Sequence, residues 1–433
     1  LVLFKGLINE VAGMADESAL LDRMSELDRA LVAAVKGIKL LGVVSWPASV
    51  QAQFLSGWQR KSPLFPKVDY AKTDHSTARE ALHDIFLAAD AKHPLGDYLR
   101  RTAQSWIYAT ELLDAAGTPA ITEHSVRLFG RPGDCLPGGT VSNLDAARHF
   151  IEIADELGGE LDVQDATPRL SAEALRSELQ HEIDAFFTHD PVRVELDPDL
   201  TAKAAAGPTR IRLRAGASFS IGDHHQLLQH EAFVHTLTAL NGRNQPHLKS
   251  LALNSPRITA TQEGLATFAE LMSGAIDIDR LKRISLRIVA IDKALDGADF
   301  IDVFRFFLES GQTEADSFAS AMRVFRGAPL SGGAAFTKDT VYLHGLLSVH
   351  TFFRWALRHG KFALCRNLFA GKMTLRDAIA IEPWFDSHYL APPAYIPPWV
   401  QNAHGLAGSL AFSLFANRIR LDRVAADDLA LGV

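Results

Sequence analysis

The sequence predicts a helix-rich α+β protein with one small sheet, and three observations carry that expectation. Apolar residues recur at three- and four-residue spacing through much of the first third and again from Ile258 onward, as in helices that bury one face. Between these regions, Val192-Arg193-Val194-Glu195-Leu196 and Arg210-Ile211-Arg212-Leu213-Arg214 alternate apolar and charged side chains, as half-exposed strands do. Directly after the second run comes His230-Glu231-Ala232-Phe233-Val234-His235, which puts two imidazoles and a carboxylate on the helix that follows the strands.

Taken in order, residues 20–44 and 77–116 carry the helical spacing. Within the first, the apolar stretch 31–44 is interrupted by Lys36 and Lys39 and is too short to span a bilayer; it reads as a core helix or a helix–strand boundary. Residues 117–140 read as loop, with Leu128-Phe129-Gly130-Arg131-Pro132 and Pro137-Gly138-Gly139 as its punctuation. Ser142-Asn143-Leu144-Asp145 opens a helix that Gly158-Gly159 is expected to stop, and 168–187 gives another. Gly207-Pro208 separates the two alternating runs, and Ser218-Phe219-Ser220 reads as a short edge strand before the histidine-bearing helix. A Pro- and aromatic-rich connector occupies 383–399. The expected organisation is an N-terminal helical region, 1–165, packed on a catalytic part, 166–433.

Composition excludes several classes. Of 433 residues, 47% are hydrophobic and 22% charged, with a net charge of -7, ordinary for a globular chain and enough to bury a large core. No basic run or aromatic–basic interleaving suits a phosphate backbone, so neither nucleic acid nor membrane is an expected partner. Cys135 and Cys365 are the only cysteines, which argues against a disulfide framework or a Cys-type zinc site and fits a reducing cytoplasm.

The chemistry concentrates on the histidine pair. Neutral imidazoles hold a metal, and a free carboxylate beside them takes a proton from water, as zinc hydrolases require. A small sheet leading into a metal-bearing helix is the layout of a zincin, where an edge strand can bind extended peptide. Here three residues, not two, separate Glu231 from His235. Residues five apart on a regular helix are rotated by about 140°, so both imidazoles face one ion only if the helix carries a wide π-type turn. The sequence therefore predicts such a turn within 231–235. Glu263, in Thr261-Gln262-Glu263-Gly264-Leu265-Ala266, offers the third ligand. Thr259 with Gln262 fits a capping box that would place Glu263 in a first helical turn. Gly264 costs a helix roughly 1 kcal/mol relative to Ala and so implies close helix approach. The alternative is that His230 and His235 are ordinary histidines and Glu263 a solvated charge.

The segments Gln229-His230-Glu231-Ala232-Phe233-Val234-His235-Thr236-Leu237-Thr238 and Thr261-Gln262-Glu263-Gly264-Leu265-Ala266 together resemble the QEGLA-motif family. Its bacterial members are described as flavohemoglobin expression-modulating proteins, and its animal relatives include the microtubule-associated tyrosine carboxypeptidase. The resemblance extends over Asn241-Gly242, Arg326-Gly327 and Gly332-Gly333-Ala334-Ala335-Phe336-Thr337-Lys338-Asp339 with Tyr342-Leu343, the C-terminal two thirds of the chain. It implies one zinc ion held by His230, His235 and Glu263, with Glu231 catalytic, and a peptide or protein C-terminus as substrate. Phe233 departs from the small residue, often Gly, that the carboxypeptidase relatives tend to carry there, which bears on substrate rather than metal.

Further candidates surround this set. Lys338, in a first turn expected to be capped by Thr337, reads either as meeting a substrate carboxylate or oxyanion with Arg323 or Arg326, or as pairing with Asp339 on the surface. Tyr342 is a candidate donor to the tetrahedral intermediate. Glu270 either orients a ligating imidazole or is a surface charge. His224 and His225 read as solvent-facing or supporting, and His344 and His350 as core. The leading function is zinc-dependent peptide hydrolysis of carboxypeptidase type. The competing readings are a regulatory or binding protein that keeps the metal, and a metal-free helix that merely packs.

Overall fold

The computed structural model of the chain describes residues 2–161, 169–200 and 202–419. It is helix-rich with two small sheets, compatible with the expected α+β class. The boundary expected between 165 and 166 lies outside the described residues.

The helices form where the apolar spacing predicted them, with two breaks that the spacing did not mark. A first helix runs Val2–Val35 and stops short of Lys39, and the expected 77–116 segment is two helices, Ser76–Ala88 and Pro94–Asp114. The second of these starts on Pro94, whose missing N–H costs nothing at a first helical position, and buries Leu95, Leu99, Thr102, Ala103, Trp106 and Leu113 on one face. The expected loop 117–140 contains a helix, Ile121–Phe129, and the Asn143–Leu161 helix runs on through Gly158-Gly159. One stretch, Glu17–Gln59, is long and apolar enough to cross a membrane by length and composition. It is nevertheless interrupted after Val35 and after Val43, and Leu31, Val35, Val44 and Phe54 are buried.

Five strands are present among the described residues. β1 (Arg169–Ser171) pairs antiparallel with β5 (Ser218–Ser220). β2 (Arg193–Asp197), β3 (Ala204–Ala206) and β4 (Arg210–Arg214) form a second sheet in the order β2-β4-β3, parallel between β2 and β4 and antiparallel between β3 and β4. Val194, Ile211 and Leu213 face inward, as the alternation requires. On β2, Gln180 from the helix Ala172–Phe186 accepts from the Val194 N–H at 2.7 Å and donates to the Val192 carbonyl at 2.9 Å. The edge strand β3 leads to Gly207, whose carbonyl accepts from Thr236 Oγ1 at 3.0 Å. This contact ties the sheet to the histidine-bearing helix.

The main core draws Leu31, Leu99, Leu175, Leu237, Phe268 and Phe353 into one cluster, so the early helices and the histidine-bearing helix share one interior. A second core is aromatic: Phe54 packs edge-on against Phe300 and Phe304, ring centroids 5.2 and 5.0 Å away. Each buried phenyl ring contributes about 1.5–3 kcal/mol, which clamps the segment around Phe54 onto the helices Phe300–Glu309 and Glu314–Phe325.

Candidate metal centre

Residues 221–244 form the motif helix. Ser220, the last residue of β5, accepts from the Asp223 N–H, and the Asp223 carboxylate accepts from the Ser220 N–H, a reciprocal cap. The helix starts regularly over Ile221–Leu227, becomes a π-helix over Leu228–Thr236, and returns to α over Leu237–Asn244. The wide turn expected within 231–235 is therefore present and longer than expected. Hydrogen bonds that skip five residues bring residues five apart back toward one face. His230 and His235 accordingly stand with ring centroids 4.8 Å apart. Phe233 points away from them into the core, 4.6 Å from the Phe186 ring.

Glu263 comes from the helix Thr259–Met272, and its Oε2 lies 3.5 Å from His230 Nε2 and 3.7 Å from His235 Nε2. Ligands about 2.0–2.1 Å from a tetrahedral ion stand roughly 3.4 Å from one another. One ligand atom from each of the three residues lies within 4.8 Å of the other two, so the set fits one zinc-sized cation. The expected capping box does not form. Thr259 is itself the first helical residue, its hydroxyl donates to the Pro256 carbonyl at 2.7 Å, and Glu263 falls in the second turn. What holds Glu263 is side-chain chemistry. Its Oε1 accepts from Lys338 Nζ at 2.9 Å, which leaves Oε2 for the imidazoles. Neighbouring Gln262 accepts from Thr238 Oγ1 at 3.0 Å, joining this helix to the motif helix.

Gly264 serves a close helix approach, but toward a third helix and not toward the histidine-bearing one. A Cβ there would lie 2.2 Å from the Gly345 carbonyl carbon, so the Glu263 helix and the helix Val341–Arg358 cross backbone to backbone. That crossing brings Lys338 and Tyr342 beside the ligand set. Lys338 sits in a 3-10 turn, Thr337–Thr340, which Thr337 does not cap; the Thr337 N–H donates to Ser125 Oγ at 2.8 Å. Lys338 is only 6% exposed and pairs with Glu263, not with Asp339 on a surface.

Asp339 anchors the arginines instead. It accepts from Arg323 Nε and Nη2 at 2.5 and 2.8 Å, with Arg287 at 3.6 Å and Arg326 at 3.9 Å. Arg323 Nη2 also donates to Tyr342 Oη at 3.3 Å. Three guanidinium groups on one carboxylate leave an excess of positive charge on this wall. Burial, then repulsion from Arg323, pull Arg287 and Arg326 down to about 10, and the Nε of each is buried without a hydrogen bond among the described residues.

Glu270 is the residue whose bland reading fails. It is fully buried, accepts from His230 Nδ1 at 2.7 Å, and is held by Arg280 Nε and Nη2 at 3.2 Å each. Burial would raise its carboxyl, but Arg280 and His230 hold it at about 2. A carboxylate can only accept, so Nδ1 carries a proton toward Glu270, and Nε2, which faces Glu263, is the atom at which a metal cation would replace a proton. Burial lowers the His230 imidazole, but the hydrogen bonds it donates to the Glu263 and Glu270 carboxylates outweigh burial and raise it to about 10. The Glu263 carboxyl is lifted by burial yet held well below its ordinary range by Lys338 and the two imidazoles. The site's own field thus favours a cation at the point where the three ligands converge.

Glu231 is half-buried, one residue from His230, and makes no hydrogen bond or ion pair among the described residues. His224 stands apart, 2.9 Å from Glu182. Arg280 and Arg287, from the helix Ile278–Leu295, were not singled out by sequence. Their spacing of seven puts both on one helix face, which is the only sequence signal they carry.

A family model described as microtubule-associated tyrosine carboxypeptidase matches residues 52–418. No curated protein matches the chain.

Proposed function

The chain belongs to the microtubule-associated tyrosine carboxypeptidase family, and on that premise we propose that it is a zinc-dependent carboxypeptidase with a zincin-like catalytic part that removes residues from peptide or protein C-termini. Family membership supports a peptidase acting at a C-terminus, with the tubulin tail as the substrate class that the family's name suggests. The zinc is our own step, and the observation that carries it is the convergence of His230, His235 and Glu263 across the π turn. The bacterial QEGLA-motif assignment is part of the same reading.

Zinc held by these three residues would supply the Lewis acidity that makes water a nucleophile at neutral pH. Glu231 takes the proton from that water and delivers it to the leaving amine, so that one C–N bond breaks and one C–O bond forms. Tyr342, already hydrogen-bonded to Arg323, donates toward the oxyanion that develops on the scissile carbonyl. Lys338 fixes Glu263 and adds positive charge beside it, and Arg323 with Arg326 extends that wall along the substrate carbonyl. We further propose a reducing cytoplasmic setting, in keeping with two free cysteines.

The test is a library of peptides differing in their last residues, incubated with the purified protein and read by mass spectrometry with and without chelator. Release of single C-terminal residues that stops with chelator and returns with zinc is expected. A protein that holds zinc and releases nothing is a binding protein, and the carboxypeptidase reading fails.

A further inference from the structure

The motif helix grips a second loop that the ligand set does not use. Residues 368–373 follow the helix Ala363–Asn367 and are all buried. Asn241 Nδ2 donates to the Phe369 carbonyl at 2.7 Å, Gln245 Nε2 donates to the Ala370 carbonyl at 2.9 Å, and the Lys372 N–H donates to the Leu251 carbonyl at 2.6 Å. Gly371 lets the loop lie against the motif helix, since a Cβ there would stand 2.7 Å from Leu251 Cβ and 3.4 Å from Gly242 Cα. This loop is held where it is by side chains of the helix that carries His230 and His235.

Lys372 is the residue so held. It is 4% exposed, and its ammonium donates to a neutral acceptor, Asn254 Oδ1, on an exposed side chain. The other cations around the site each face an acid: Lys338 faces Glu263, Arg280 faces Glu270, and Arg323, Arg287 and Arg326 share Asp339. Lys372 has no ion-pair partner among the described residues. Burial pulls it down to about 8, against the fields of Glu263 and Glu231, the two carboxylates whose charge it feels. A buried ammonium without a counter-charge is costly to a folded chain. An anionic ligand that completes the pair offsets that cost when it binds.

We propose that Lys372 is the anchor for the α-carboxylate of the substrate's C-terminal residue. The inference rests on the carboxypeptidase reading above. A carboxypeptidase distinguishes a chain end from an internal peptide by a carboxylate one residue beyond the bond it cuts, and adjacent Cα atoms are about 3.8 Å apart. The counter-charge must therefore lie near the metal ligands and the general base, on a rigid element, with its charge unspent. Lys372 sits on a buried loop tied to the motif helix, has no ion-pair partner among the described residues, and feels the charges of Glu263 and Glu231. Lys338 is engaged by Glu263, and Arg323, Arg287 and Arg326 are grouped on Asp339, whereas Lys372 faces no acid within ion-pair distance among the described residues.

Two peptides ending in tyrosine, identical but for a free-acid or an amidated C-terminus, test the assignment on zinc-loaded wild-type, Lys372→Met and Lys372→Arg proteins. Lys372→Met is expected to raise KM for the free acid roughly 10- to 100-fold, with kcat little changed, zinc content intact, and the preference for free acid over amide lost. Lys372→Arg is expected to keep that preference. A purely structural lysine would lower the Tm when replaced; loss of an unpaired buried charge should leave the Tm unchanged or raised. If Lys372→Met does not fold, Lys372→Gln takes its place. An unchanged KM and preference in the neutral variant, while wild type releases tyrosine, overturns the Lys372 assignment alone. No release by zinc-loaded wild type overturns the carboxypeptidase reading and the assignment with it.

Discussion

Glu270 holds His230 by its Nδ1 at 2.7 Å, with no part of the glutamate exposed to solvent. The contact fixes the tautomer that presents Nε2 to the ligand set, and Arg280 keeps the glutamate ionised while it does so. The two helices that carry the candidate ligands, one with His230 and His235 and one with Glu263, are thereby joined through one proton.

Glu270→Gln is expected to lower zinc affinity about 10- to 100-fold, measured by competition with a chromogenic chelator. It also leaves Arg280 buried without its acid, which should cost about 3 kcal/mol and appear as a lower urea midpoint. Unchanged zinc affinity would remove Glu270 from the site.

Gly264→Ala drives a methyl group into the Gly345 backbone. The two helices must separate, at a cost of about 1–3 kcal/mol, and Glu263 moves away from Lys338. Both Tm and zinc affinity should fall together. A variant as stable as wild type would show that the crossing is looser than its geometry implies.

Phe233→Ala tests the division between scaffold and site. Phe233 is buried against Phe186 and away from the imidazoles, so its loss should cost about 3–5 kcal/mol while zinc stoichiometry holds at one in the folded protein. Zinc loss without loss of stability would contradict the division.

Asp28 predicts a pH effect remote from the metal. It is fully buried under Ser250, whose N–H donates to both carboxylate oxygens at 3.2 Å, and burial raises its carboxyl from 3.8 to about 6. The folded chain then holds a proton that the unfolded chain has released between pH 4 and 6, so stability falls as pH rises through that window, by up to about 3 kcal/mol. Urea midpoints for Asp28→Asn should lack this decline; a parallel decline in the variant would assign it to other groups.

The parts of this site that were legible in sequence are those set by helix geometry and residue type. Five-residue spacing of two imidazoles demanded the π turn, and alternation announced β2 and β4. The glycine in the Glu263 helix announced a close helix approach, though its partner is the Gly345 helix and not the histidine-bearing helix. Local signals failed where several partners compete. Thr259 is already helical and its hydroxyl donates back to Pro256, so it is not the cap it resembled. The alanines of β3 carry no strand preference, and Gly117, Pro119 and Gly130 hid the short helix between them. For Lys338 and Glu270 a surface charge stayed open beside the functional reading, and Lys372 was not singled out, because what buries them arrives from distant segments.

The most direct test measures zinc content and C-terminal residue release on the same preparations of wild type and Glu231→Gln. Equal zinc, one ion per chain, with release lost by a factor of about 100 or more in the variant is the predicted result. Near-normal release by Glu231→Gln, or loss of zinc together with activity, would contradict a site in which three residues hold the metal and Glu231 moves the proton.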